Sequence, residues 1–142
     1  MNFFDDVIKE VGKDTAKLSS NLEKSHTFLD TGSYAFNALC STSIFGGVSD
    51  NKITAIAGAE ATGKTFFALS ICNNFLKSNP KAGVVYFDSE GAITSEILET
   101  RAIDPTGKQF LTIDCLTIED FRNVAYKILD KYNSQDEANR QP

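Results

Sequence analysis

The sequence predicts an α/β fold, a mostly parallel sheet with helices on both faces, and two observations carry that prediction. Continuous apolar runs at 53–57, 83–87 and 110–113 alternate with segments of helical periodicity. Strands that are apolar on both sides belong to parallel sheets covered on each face, their crossovers right-handed. Between the first run and the next helical segment lies Gly58-Ala59-Glu60-Ala61-Thr62-Gly63-Lys64-Thr65, a glycine-bounded octapeptide suited to a strand-to-helix junction.

In chain order, Phe3, Phe4, Val7, Ile8 and Val11 share one face at helical spacing, with Asp5, Asp6, Lys9 and Glu10 elsewhere, which predicts an amphipathic helix. Gly12 interrupts it, and Asp14 is placed to cap a second, weaker helix through Leu22. Residues 1–29 thus read as a helical arm that packs either on its own domain or, as an oligomerisation segment, on a neighbour, ahead of a core over 30–142. Asp30-Thr31-Gly32-Ser33 is a turn in which Ser33 caps a short helix through Leu39, and Gly46-Gly47 and Ser49-Asp50-Asn51 mark loops.

The core then runs as a strand at Ile53–Ala57, the glycine loop, and a helix at Lys64–Leu76 with Phe67, Ile71 and Phe75 on one face. A second strand follows at Gly83–Phe87, a short helix at Ser95–Arg101, and a third strand at Phe110–Ile113 after the Asp104-Pro105 turn. Thr117 lies three residues before Asp120, resembling a capping box. The helix it opens carries Phe121, Val124, Ala125, Ile128, Leu129 and Tyr132 as one stripe. The tail Asn133–Pro142 is polar and expected to fray.

At 142 residues, 42% hydrophobic and 23% charged, the chain suits one globular domain rather than a disordered one. A net charge of -5 offers no general attraction to nucleic acid. Lys77, Lys81, Lys108, Lys127 and Lys131 are scattered among acids, and His26 stands alone, so neither marks a site. Cys40, Cys72 and Cys115 are odd in number and widely spaced. They are expected to be small buried hydrophobes rather than a disulfide or zinc set. No apolar run is long enough to cross a bilayer and the first residues carry acids where a signal would be basic, which predicts a cytoplasmic protein.

The octapeptide matches Gly-x-x-x-x-Gly-Lys-[Ser/Thr], a chance event on the order of one in a few hundred for a chain of this length. A phosphate requires several backbone N–H donors to converge, and glycines such as Gly58 and Gly63 allow the positive φ or close approach this demands. The helix starting near Lys64 aims its free N–H groups at the same anion. Lys64 adds an ammonium for the β/γ oxygens, and Thr65 a hydroxyl for Mg²⁺. Residues 58–65 are therefore expected to hold a nucleoside triphosphate with Mg²⁺. Asp88 and Glu90 follow the second strand at the sheet's carboxyl edge, where α/β ligands bind. Glu90 is placed to orient and deprotonate an attacking water, and Asp88 to support the Mg²⁺ shell or the loop.

Thr31-Gly32-Ser33 with Gly46-Gly47, Glu60 at the third position of the phosphate loop, and Tyr86-Phe87-Asp88-Ser89-Glu90 followed by Ile103-Asp104-Pro105 resemble the ATPase core of RecA-type recombinases. The likeness is greatest to the phage strand-exchange branch and covers nearly the whole chain. It implies a P-loop NTPase of RecA-like type that binds ATP and Mg²⁺, self-associates into filaments on single-stranded DNA, and performs pairing and strand exchange in recombination and repair. The setting would be the cytoplasm of a bacterium or phage-infected cell. The family's catalytic glutamate maps to Glu90, beside Lys64, and its adenine-stacking aromatic to Ile97, while the leading helix would dock on an adjacent protomer. The family's next strand, with the Walker B aspartate, would follow residue 142. The chain is thus expected to be an amino-terminal portion of that core, inactive alone and marginally stable or self-associating, with DNA-dependent ATPase activity in the complete protein. A helicase or clock-type ATPase on the same core, or a truncated nucleotide-binding module without turnover, are the alternatives.

Overall fold

The computed structural model describes residues 3–12 and 27–135. It is an α/β arrangement whose main sheet is short. A leading helix, α1 (Phe3–Val11), is followed by β1 (Phe28–Leu29), α2 (Tyr34–Ser41) and β2 (Val48–Ser49). Then come α3 (Lys64–Ser78), β3 (Val84–Asp88), α4 (Ser95–Thr100), β4 (Phe110–Asp114) and α5 (Ile118–Asn133). The Asp14–Leu22 helix and the end of the polar tail lie outside the described residues.

Helices α2, α4 and α5 begin where a side chain accepts a free backbone N–H, whereas α3 starts from Gly63 with no side-chain cap. Ser33 accepts from Phe36 N, Thr94 from Ile97 N, and Thr117 from Asp120 N. The Thr117 hydroxyl also donates to Asp120 Oδ2 at 2.7 Å, closing a reciprocal lock at the start of α5. Strand β3 pairs in parallel with β4, from Val84↔Phe110 to Asp88↔Asp114, so residues 84, 86 and 88 share a face with 110, 112 and 114.

That face builds the core. Leu69 of α3, 1% exposed, meets Leu98, Ile103 and Phe110, and Cys72, Leu76, Val84, Tyr86 and Ile93 pack around them. The core-facing stripe of α3 is therefore 69, 72 and 76 rather than the Phe67, Ile71 and Phe75 expected from bulk alone. Phe67 instead turns the other way and stacks on Phe36 of α2, ring centroids 4.7 Å apart at 18°. Helix α3 is covered on two sides, which is why apolar residues surround it. On the opposite sheet face Phe87 meets Phe121 of α5 edge-on at 4.8 Å, while Val85 and Leu111 stay exposed.

The layer carrying α2 was only partly foreseen. Strands β1 and β2 pair antiparallel, Phe28↔Ser49 and Leu29↔Val48, across a stretch expected to be loop. At its centre Asn37, 2% exposed, satisfies its whole amide. Its Oδ1 accepts from Thr31 N and Thr31 Oγ1, and its Nδ2 donates to Asp30 Oδ1 and the Ile44 carbonyl. Asn74 Nδ2 of α3 donates to the Asp30 carbonyl and ties this layer to the core helix.

The Asn37 amide, and after it the Gly32 N–H, hold the Asp30 carboxyl below its ordinary pKa of 3.8. A carboxyl depressed on folding stabilises the native state above the ordinary carboxylate range, and that contribution is lost as pH falls through the folded value. Thermal melts taken from about pH 6 down to about pH 2 should therefore show a steeper loss for the wild type than for Asp30→Asn. Parallel curves would refute the assignment.

Two further expectations fail. Ile53–Ala57 is not a strand. Among the described residues β3 and β4 pair only with each other, and a ladder needs a neighbour to take its N–H and C=O groups. Ile53 is accordingly fully exposed, at 103%. Cys40 is exposed rather than buried, whereas Cys115 is buried and donates its thiol to the Thr117 carbonyl. Burial raises the Cys72 thiol pKa, as expected of a packing residue. No described helix is long and apolar enough to cross a membrane.

Candidate phosphate-binding site

The glycine octapeptide leads directly into α3. Gly63 is the residue before the helix and takes φ +87°, a left-handed conformation that glycine adopts without a Cβ clash, and its carbonyl accepts from Phe67 N. Ala61 takes φ +58° as well, a conformation alanine adopts only at a cost. Gly58 serves by lacking a side chain: a Cβ there would sit 2.9 Å from Thr62 Oγ1.

The loop is braced by its own side chains. Thr62 Oγ1 donates to the Ala59 carbonyl at 2.7 Å. Lys64 Nζ donates to the carbonyls of Gly58 at 3.1 Å and Ala59 at 2.8 Å. An ammonium has three protons, so one donor of Lys64 is left for another acceptor. Lys64 makes no ion pair among the described residues.

Glu60, Ala61, Thr62, Gly63, Lys64 and Thr65 line an open cleft of about 610 Å³, and Glu90 lines it with them. Glu90 arrives there because β3 ends at Asp88 and the chain turns back over the carboxyl edge. Asp88, 5% exposed, makes that turn: Oδ1 accepts from Glu90 N and Gly91 N, both at 3.1 Å, and Oδ2 from Ile93 N at 2.8 Å. Its carboxylate is occupied by the loop, so of the two expected roles the geometry presents the structural one. Ile97 lies on α4, partly exposed and away from the cleft lining.

The charge arrangement has a consequence for ligands. One ammonium faces two carboxylates, Glu60 and Glu90, in a cleft where amides and a helix N-terminus favour an anion. A polyphosphate entering it needs a divalent cation to offset the acids, and exposed Thr65 offers a hydroxyl oxygen of the kind Mg²⁺ takes.

Sequence reasoning missed one residue beside the loop. Arg101 lays its guanidinium 3.3 Å over the ring of Phe66, the residue after Thr65. Nothing in the local pattern of either segment signals a contact across that sequence distance.

No protein-family model matches the chain. It is 33% identical over 102 residues to the chromosomal replication initiator protein DnaA of Streptococcus mutans, covering 70% of this chain and 22% of that protein. The initiator of Streptococcus agalactiae is 29% identical over 120 residues, covering 80% of this chain and 26% of the relative. The initiator of Streptococcus uberis is 34% identical over 76 residues, covering 52% and 17%. Any contiguous stretch covering 70% of a 142-residue chain contains Gly58–Thr65 and Glu90. The chain spans about a quarter or less of the length of these relatives. They overturn the expectation of a RecA-type phage recombinase acting in recombination and repair, since these relatives are named as initiators of replication. The residues behind that expectation are turn glycines, a phosphate loop and an acidic strand end, which serve phosphate binding on many α/β proteins and do not specify strand exchange.

Proposed function

We propose that the chain is a nucleotide-binding module of a replication-initiator-like protein, holding ATP with Mg²⁺ in the cleft between Gly58–Thr65 and Glu90. The observation that carries this is the convergence of the phosphate loop and the carboxyl edge of β3 on one open cleft. Lys64 supplies its remaining donor to the β/γ oxygens, the amides of residues 60–65 surround them, and Thr65 contributes to the Mg²⁺ shell. Glu90 holds and deprotonates the attacking water where hydrolysis occurs.

The names of the relatives support chromosomal replication as the process. DNA and further copies of the chain enter as partners of the whole initiator-like protein. A net charge of -5 gives this chain itself no general pull toward a duplex.

Calorimetric titration of the full chain with ATP tests the reading. Chelating Mg²⁺ is expected to weaken binding by about 10-fold or more, because the two cleft carboxylates then face the polyphosphate uncompensated. Glu90→Gln is expected to bind ATP at least as well as wild type, and to lower any hydrolysis by about 100-fold. Absence of ATP binding with Mg²⁺ present would sink the proposal.

A further inference from the structure

We propose that Phe66 and Arg101 form the nucleobase platform of this nucleotide site, the guanidinium receiving the base on the face turned away from the ring. The inference rests on the phosphate-loop reading and extends it from polyphosphate to nucleoside. Phe66 follows the last cleft residue, Thr65, and its Cβ lies 3.9 Å from where a Cβ on Gly63 would stand, so it abuts the loop. A triphosphate seated in the cleft must carry its nucleoside past one end of the loop, and the first turn of α3 is one such end.

The platform is built before any ligand arrives. Phe36 stacks on Phe67, Phe67 meets Phe66 edge-on at 5.9 Å, and Arg101 closes the series at 3.3 Å. Phe66 is nevertheless 44% exposed, and Arg101 makes no ion pair among the described residues. A guanidinium already laid flat has given up rotamer freedom that stacking would otherwise cost. Its second face is a planar surface on which heteroaromatic bases stack, and its edge N–H groups reach ring nitrogens and carbonyls. A two-ring purine covers that plane more fully than a pyrimidine. A partly exposed cation–π pair contributes little to stability by itself, so fold stability is a weak reason for placing a carboxylate-free arginine here.

The test compares ATP with inorganic tripolyphosphate, both with Mg²⁺, on the full chain by calorimetry. Arg101→Ala and Phe66→Leu are each expected to weaken ATP binding by about 5- to 30-fold while tripolyphosphate affinity stays within about twofold. Retained tripolyphosphate binding shows that the variants are folded around the loop. Unchanged ATP affinity in both variants, or equal losses for the two ligands, overturns the platform and leaves the phosphate reading standing. A wild-type chain that binds neither ligand overturns both.

Discussion

Lys64→Ala is expected to weaken ATP·Mg²⁺ binding by about 10- to 100-fold, the worth of a charged hydrogen bond to an anion. The ammonium already spans the loop, donating to the Gly58 and Ala59 carbonyls with one proton to spare. Its loss therefore removes both a cation for the phosphates and a brace that holds the loop open. Both carbonyls belong to exposed residues, where water replaces the lost donor, so stability should change by less than about 1 kcal/mol. The signature is an affinity loss without a shift in the urea midpoint. Equal affinity in wild type and variant would remove the phosphate assignment.

Asp88→Ala should have the largest effect on stability, about 2–4 kcal/mol. The buried carboxylate is the shared acceptor for three backbone N–H groups, of Glu90, Gly91 and Ile93. Removing it leaves those donors without a partner at the edge of the core, where Ile93 packs. Against the 5–15 kcal/mol typical of a domain this is a large fraction, and it corresponds to a fall in melting temperature of about 10 °C. Asp88→Asn should recover part of the loss, because an amide oxygen still accepts while its NH₂ turns a donor toward a donor. A drop below about 0.5 kcal/mol in urea unfolding of Asp88→Ala would show that the turn is held some other way. The same variant frees Glu90, so hydrolysis should suffer more than binding.

How far the sequence reached depended on whether the signal was local. Helix starts at Ser33 and Thr117 were legible because a cap is a contact between residues three apart. The loop leading into α3 was legible because its backbone requirements restrict residue type at fixed offsets. The position of Glu90 at the cleft, though not its role, was legible because the edge of a strand is a position. The face of α3 was not, since apolar residues surround a helix covered on two sides and periodicity then has no single answer. Nor was the β1–β2 pair, two residues to a strand and written in turn-forming residues.

Ile53–Ala57 has a strand's composition, yet pairing depends on a neighbour that composition cannot supply. The contact of Arg101 with Phe66 is made by the fold alone. Function was the least legible level. Glycines and acids at a phosphate site report the anion they hold and say little about the process it drives.

Helix α3 is gripped by the core through Leu69 and by α2 through Phe67, whereas the run leading into Gly58 is tied to no strand. The loop thus has one stiff bank and one slack bank. On ligand capture the amides nearest the helix start in position, and the entropy of settling the other end of the loop is drawn from 53–57. Affinity could therefore be tuned by stiffening 53–57, a segment outside the loop proposed to hold the nucleotide.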